Sequence, residues 1–298
     1  MNKWHWLLLV ISCWIAAGYA LCGPRRDRDG GDAPLPHQAN RIVSMAPNLT
    51  EILFALGLDE EIVGVTLFSD YPPAAREKPI IGSFWQPNIE AVVAARPSLV
   101  ITLGIPEQKN LTGRLRRIGY NSLTVNIDKV KDLFEAMGQI GTSTGTKHQA
   151  EEVINRIKKQ VEALSALVQT TEKVRVLWVV QREPLRVAGR DTFVNEIIEM
   201  AGGVNAIGPT VYKYPPIGAE QVIACRADVI IEPQMGQVDL LTQKDSALQY
   251  WRKYRNVPAV ANRRIYVIPG GAVSRLGPRL YEGTEAIARC LRPHLFEN

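Results

Sequence analysis

The stretch from Lys147 to Thr170, KHQAEEVINRIKKQVEALSALVQT, contains neither Gly nor Pro and follows the turn-forming pair Gly145-Thr146. Steps of three and four place Ala150, Val153, Ile154, Ile157, Val161, Leu164 and Val168 on one apolar stripe, while Glu151, Glu152, Arg156, Lys158, Lys159 and Glu162 fill the other faces. The spacing predicts a single helix over 147–170, spanning roughly 36 Å at the usual rise per residue. At mid-chain such a helix is either the core helix of one large domain or a bridge between two.

The flanks argue for the bridge, because they look alike. Glu90-Ala-Val-Val-Ala-Ala-Arg-Pro-Ser-Leu-Val-Ile101 and Glu220-Gln-Val-Ile-Ala-Cys-Arg-Ala-Asp-Val-Ile-Ile231 share Glu, Val, Ala, Arg and the final Ile in register, and most other positions exchange one apolar residue for another. Each reads as a short helix running into a continuous apolar strand, Leu99 to Leu103 or Val229 to Ile231, of the kind buried on both faces of a parallel sheet. Strand-then-helix units precede them at Arg41 to Leu56 and Val174 to Met200, and further strands follow at Tyr120 to Ile127 and Arg264 to Ile268. The fold class expected is therefore α/β. Two Rossmann-like lobes, 41–146 and 171–298, are joined by the single long backbone helix, with a ligand cleft between them.

Ahead of the first lobe, Lys3 and an apolar run from Trp6 to Ala17 lead into Gly18-Tyr19-Ala20. That pattern predicts a secretory signal peptide over 1–20 and an extracytoplasmic, periplasmic location. A lipid anchor at Cys22 is the rival, but Leu21 stands where a lipoprotein site wants a small residue. The polar stretch 21–40, with Arg25-Arg26-Asp27-Arg28-Asp29-Gly30-Gly31-Asp32, reads as a flexible tether.

A formal charge of +5 is spread along the chain with no long basic run, which gives no reason to expect a nucleic-acid partner. Cys225 and Cys290 fit either a disulfide in an oxidising compartment or two buried thiols. None of the four histidines has a second His or a Cys at metal-ligand spacing, so no metal site and no cofactor are expected. The chain carries no Walker loop or dinucleotide fingerprint, and Ala201-Gly202-Gly203-Val204-Asn205 is more simply the stop of a helix. With no catalytic residue to name, an enzyme is the weaker class. A binding protein needs only a cleft and a few convergent groups.

Three segments carry a resemblance: Arg41-Ile-Val-Ser-Met-Ala-Pro-Asn-Leu-Thr-Glu51, Phe68-Ser-Asp-Tyr-Pro-Pro73, and Ser83-Phe-Trp-Gln-Pro-Asn-Ile-Glu90 with Ala95-Arg-Pro-Ser-Leu-Val-Ile101 behind it. In this order the chain from Arg41 to Leu291 resembles the metal-chelate class of periplasmic substrate-binding proteins of ABC importers, and within that class the cobalamin (vitamin B12) binders. The resemblance implies a monomer that captures a cobalt- or iron-containing chelate and delivers it to a permease dimer with its ATPase subunits. It assigns ligand contacts to Pro47, Asn48, Phe68, Trp85, Tyr214 and Arg275, and permease docking to Glu90 and Glu220, whose counterparts meet arginines on two permease subunits.

The chain departs from the cobalamin pattern at Leu103 and Arg186, where the relatives have aromatics, and at Gly271, where they have a cleft aspartate. Corrinoids offer a broad, mostly uncharged face suited to aromatic walls, whereas haem and ferric siderophores often carry negative charge that calls for guanidinium groups. Arg186, Arg190, Arg275 and Arg279 would supply four such groups, so a haem or siderophore ligand is the alternative to cobalamin, and an enzyme or sensor on the same scaffold stands behind both.

Overall fold

The computed structural model describes residues 41–169, 172–234, 236 and 238–297; the expected signal peptide over 1–20, the tether over 21–40 and Cys22 lie outside the described residues. The first half comprises β1 (Ile42–Ser44), α1 (Pro47–Ala55), β2 (Ile62–Gly64), α2 (Ile89–Ala94), β3 (Leu99–Leu103), α3 (Pro106–Arg117), β4 (Ser122–Val125) and α4 (Val130–Thr144). Its four strands form a parallel sheet in the order β2-β1-β3-β4. The central β1 is buried throughout and β3 over all but its last residue, which is why Leu99 to Leu103 shows no alternating pattern.

The long helix follows as α5 (Lys147–Val168). The stripe reads as expected: Ala150, Val153, Ile157, Val161, Leu164 and Val168 are buried and Ile154 is half-buried. The helix stops two residues short of the expected end, with Gln169 in extended geometry; Thr170 lies outside the described residues. Gly145, at φ 76°, terminates α4 in the left-handed conformation that glycine adopts without a Cβ penalty. Gly141 lets the next helix come close, since a Cβ there would lie 2.6 Å from that of Ala150. Apolar residues from both halves of the chain and the α5 stripe belong to one hydrophobic core cluster, so α5 joins the lobes through packing as well as through the chain.

The second half contains β5 (Val174–Arg182), β6 (Leu185–Val187), α6 (Phe193–Met200), β7 (Gly203–Asn205), α7 (Ala219–Ala224), β8 (Val229–Pro233), α8 (Leu240–Trp251), α9 (Pro258–Ala261), β9 (Ile265–Ile268), α10 (Gly270–Val273) and α11 (Leu280–Leu291). β5 is its spine, pairing in parallel with β7 near its start and with β8 in its middle, and antiparallel with β6 at its end, while β9 extends the sheet beyond β8. Two features go beyond the sequence reading. The unit from Val174 to Met200 includes the β5–β6 hairpin, and the Gly202-Gly203 pair both stops α6, with Gly202 at φ 81°, and leads at once into β7.

The internal repeat is geometric as well as sequential. α2 runs into β3 as α7 runs into β8, and the arginine between helix and strand is left-handed in both, Arg96 at φ 47° and Arg226 at φ 46°. Positive φ is uncommon for a long side chain, so its recurrence at matching positions marks one shared turn geometry. Each short helix is also closed at its C-terminus by an arginine from the neighbouring strand region. Arg41 donates from Nε to the Arg96 carbonyl and from Nη2 to the Ala95 carbonyl; Arg175 donates from Nε and Nη2 to the Cys225 carbonyl. Of the two readings open for the cysteines, the structure has free thiols: Cys225 and Cys290 are both buried and unpaired with each other, and burial pushes the Cys290 thiol up to about 12.

Candidate functional site: the facing edges of the two sheets

In open parallel sheets the loops beyond the carboxyl ends of the strands are the usual place for a ligand. Here those loops from the two sheets face one another. Asn48, after β1, donates from Nδ2 to the Leu276 carbonyl beyond β9 at 3.1 Å. Lys129, after β4, pairs with Asp191 beyond β6 at 2.7 Å, and the Val130 amide donates to Glu196 of α6 at 2.7 Å. Lys213, beyond β7, pairs with Asp128. The cleft implied by the sequence is the space bordered by these loops.

On the first-lobe side the chain presents aromatic side chains to solvent. Phe68 is 60% exposed and Trp85 65% exposed, which removes both from the hydrophobic core, the alternative role for such residues. Phe68 also sits at φ 70°, an uncommon conformation for an aromatic residue. The loop is held there by a buried hydroxyl chain in which Ser69 joins Thr50 and Thr66, each at 3.2 Å, and Thr50 meets Ser44 at 2.8 Å. Trp85 leaves a turn in which Ser83 Oγ accepts from the Gln86 amide at 2.9 Å, and its ring meets Phe84 edge-to-face with centroids 4.6 Å apart.

Buried Gln108 ties these loops together. Its Oε1 accepts from the Leu103 amide at 2.7 Å, while Nε2 donates to the carbonyls of Met45 at 2.8 Å and Phe84 at 3.4 Å. One side chain thus fixes the ends of β1 and β3 and the tryptophan turn. Nothing in the sequence singled out Gln108, because an amide near a helix start is ordinary until its three backbone partners are known.

Across the cleft, Tyr214 packs partly against the main core, and burial together with the Asp128 charge raises its phenol above the ordinary value. Asp128 follows β4 of the first lobe, so Tyr214 belongs to the facing edge. Arg186 is exposed and donates to the Tyr214 carbonyl at 3.2 Å.

The arginines otherwise depart from the sequence reading. Four open positive charges are not what the structure contains. Arg190 braces the Ile207 carbonyl at 3.0 Å. Arg279 grips Glu51 with two hydrogen bonds, Nε to Oε2 at 2.9 Å and Nη2 to Oε1 at 2.6 Å, and its guanidinium lies 3.9 Å from the Tyr71 ring centroid. Arg275 reaches Asp70 at 2.5 Å and stands 3.7 Å from Glu51. The physical reason is desolvation: guanidinium groups drawn into a closed seam require carboxylates, and Glu51, only 4% exposed, is the central one. Burial raises the Glu51 carboxyl despite Arg279 and Arg275, whereas Asp70, more open, is held below its ordinary value because the Arg275 hydrogen bond and charge outweigh its burial. At Gly271 an added Cβ would lie 3.2 Å from Arg279 Nη1, so that position leaves room for the Arg279 guanidinium.

Pro47 opens α1 at its first turn, where its missing N–H is no loss, and Asn48 spans the lobes as described. Glu90 and Glu220 are both exposed and sit in the first turns of α2 and α7; Asn88 caps α2 by accepting from the Ala91 amide, and Gly218 begins α7. They occupy matching places in the two repeats.

A family model described as periplasmic binding protein matches residues 42–272. An uncharacterized ABC transporter substrate-binding lipoprotein of Bacillus subtilis (strain 168) is 25% identical over 278 residues, covering 91% of this chain and 86% of that protein. A vitamin B12-binding protein of Vibrio cholerae is 24% identical over 261 residues, covering 86% of this chain and 91% of its own. Among solved structures, the periplasmic heme binding protein of Vibrio cholerae superimposes with a TM-score of 0.76 at 26% identity, covering 86% of this chain and 100% of that one.

Proposed function

This chain belongs to the periplasmic binding protein family, and we propose that it is the extracytoplasmic receptor of an ABC importer that captures a metal chelate, a corrinoid by preference, between the lobes 41–146 and 171–298. Its relatives are binding proteins, which favours a receptor over an enzyme. The observation that carries the corrinoid preference is the combination of two exposed aromatics, Phe68 and Trp85, with Arg275 and Arg279 already paired to the protein's own carboxylates. A broad, uncharged macrocycle gains from aromatic area and needs no free guanidinium. Pro47, Asn48, Tyr214 and Arg275 would complete the rim.

A second reading, haem or a ferric siderophore, is favoured by exposed Arg186, a guanidinium whose described partner is a backbone carbonyl. Incubating the purified protein with cyanocobalamin, haemin and a ferric siderophore, then desalting, separates the readings by the visible absorbance that stays with the protein. Retained corrinoid colour is expected; retention of haemin alone moves the assignment to the second reading.

Delivery would use Glu90 and Glu220. Glu90 stands at a groove of about 480 Å³ lined by Ile89, Val93, Arg114, Arg117 and Ile118, and Ile223 is exposed beside Glu220 on α7. Two carboxylates held at a spacing fixed by α5 suit a symmetric permease dimer. Glu90→Arg with Glu220→Arg should keep chelate affinity within about twofold, since neither is among the residues assigned to the chelate, yet abolish uptake in cells because like charges then meet at the dock. Uptake at the wild-type rate would leave these glutamates as helix-start residues only.

A further inference from the structure

The carboxylates of the inter-lobe seam control which positive charges a ligand can meet. Arg279 has Nε and Nη2 on Glu51, and Tyr71 covers its face at 3.9 Å. A ligand carboxylate reaching Arg279 would have to displace Glu51, whose side chain is 3% exposed, and leave that charge buried without its partner. Arg275 is different. Its strong partner is Asp70, at 2.5 Å, and the Asp70 side chain is 46% exposed, so this carboxylate sits at the open end of the seam. It follows Phe68 by two residues, on the same loop as the exposed aromatic. Asp70 therefore occupies Arg275 in the way a carboxylate on an incoming ligand would, and it presents like charge to any such ligand.

We propose that Asp70 is an internal counter-anion that withholds Arg275 from carboxylate-bearing chelates and so sets the cleft's preference for chelates without carboxylates. Glu51 is the positioning residue, holding Arg279 and standing 3.7 Å from Arg275 so that the guanidinium stays within reach of Asp70. The proposal rests on the reading of the cleft as a chelate site. It adds the residue that decides between the two chelate classes, and it places selectivity in a carboxylate rather than in the arginines themselves.

The test compares wild type, Asp70→Asn, and Asp70→Asn combined with Arg275→Gln. Each is titrated with cyanocobalamin, whose macrocycle carries amides, and with haemin, which carries two carboxylates, by tryptophan quenching and by colour retained on desalting. Asp70→Asn should raise the ratio of haemin affinity to cobalamin affinity at least about tenfold by freeing a guanidinium and removing a like charge. The gain should shrink with added salt and vanish in the double variant, which a general loosening of the seam would not reproduce. A ratio unchanged in Asp70→Asn, or a gain that persists without Arg275, overturns the proposal. Haemin preferred by the wild type would overturn the corrinoid preference and leave the Asp70→Asn shift to judge the counter-anion. Retention of neither chelate by any of the three forms would remove the chelate site and the proposal together.

Discussion

The lobes meet along two seams made of the same kinds of charge in different settings. In one, Glu51 and Asp70 of the first lobe hold Arg275 and Arg279 of the second, with the central carboxylate buried and one pair bidentate. In the other, Asp128 and Lys129 meet Lys213 and Asp191 largely in solvent. The first uses planar guanidinium groups with fixed donors, the second flexible, well-hydrated ammonium groups. Ion pairs of similar length therefore differ in consequence: the buried pair cannot lose one member without stranding the other, while the exposed pair has water as an alternative partner.

The largest effect should follow from breaking the first seam at its centre. Glu51→Ala leaves Arg279 poorly compensated and should cost about 3 kcal/mol or more of stability, read from chemical denaturation. A loss no greater than that of an exposed pair would erase the distinction between the seams. The aromatic rim should behave in the opposite way. Trp85→Ala should weaken chelate binding by about 2 kcal/mol, as for a truncated hot-spot residue, while leaving the unfolding midpoint in place because the ring is exposed. Unchanged affinity in that variant would take Trp85 out of the site.

Acid separates the two carboxylates of the first seam. Asp70 is held below its ordinary 3.8, so its contribution is present above that value and is lost as pH falls through the folded one. Glu51 is raised above 4.5, so its contribution is full below that value and is lost as pH rises through the folded one. The two act in separate windows with opposite signs, so stability should rise with pH up to the ordinary Asp70 value of 3.8 and fall as pH climbs above the ordinary Glu51 value of 4.5. Asp70→Asn should remove the decline on the acid side, whereas Glu51→Gln should keep that decline and remove the one at higher pH; thermal midpoints on both sides of this range check both. Identical profiles for the two variants would mean that the seam titrates as one unit.

What the sequence disclosed follows from which interactions are local. The α5 stripe and the α2–β3 and α7–β8 repeat are patterns over neighbouring residues, and both are present in the structure. The β5–β6 hairpin is not part of the strand-then-helix reading of Val174 to Met200, because only the pairing register shows the chain folding back. The arginines were located in sequence, but their partners were not. Glu51 and Asp70 stand 228 and 205 residues from the arginines they bind, and no periodicity connects residues that far apart. The burial of Glu51 goes with its arginine partners in the second lobe, which lie far along the chain.

The smallest expected effect is at the second seam, and it is the sharpest check on why the two differ. Lys213 and Asp128 are both substantially exposed, as is Asp191 opposite Lys129. The Coulombic gain of such a pair in water is offset by the entropy of ordering a lysine side chain and is screened by salt. Lys213→Ala and Asp128→Ala should therefore each change stability by less than about 1 kcal/mol, and their coupling in a double-mutant cycle should fall toward zero in high salt. Asp191 is held below its ordinary carboxyl range by the Lys129 hydrogen bond and charge, yet it is largely exposed, so the coupling of this pair should likewise weaken in high salt. The cycle through Glu51 and Arg279 should instead retain its coupling in high salt, because ions do not enter a buried seam. If salt erased both couplings equally, burial would not be what separates the seams, and the number of hydrogen bonds per pair would be left to account for the difference.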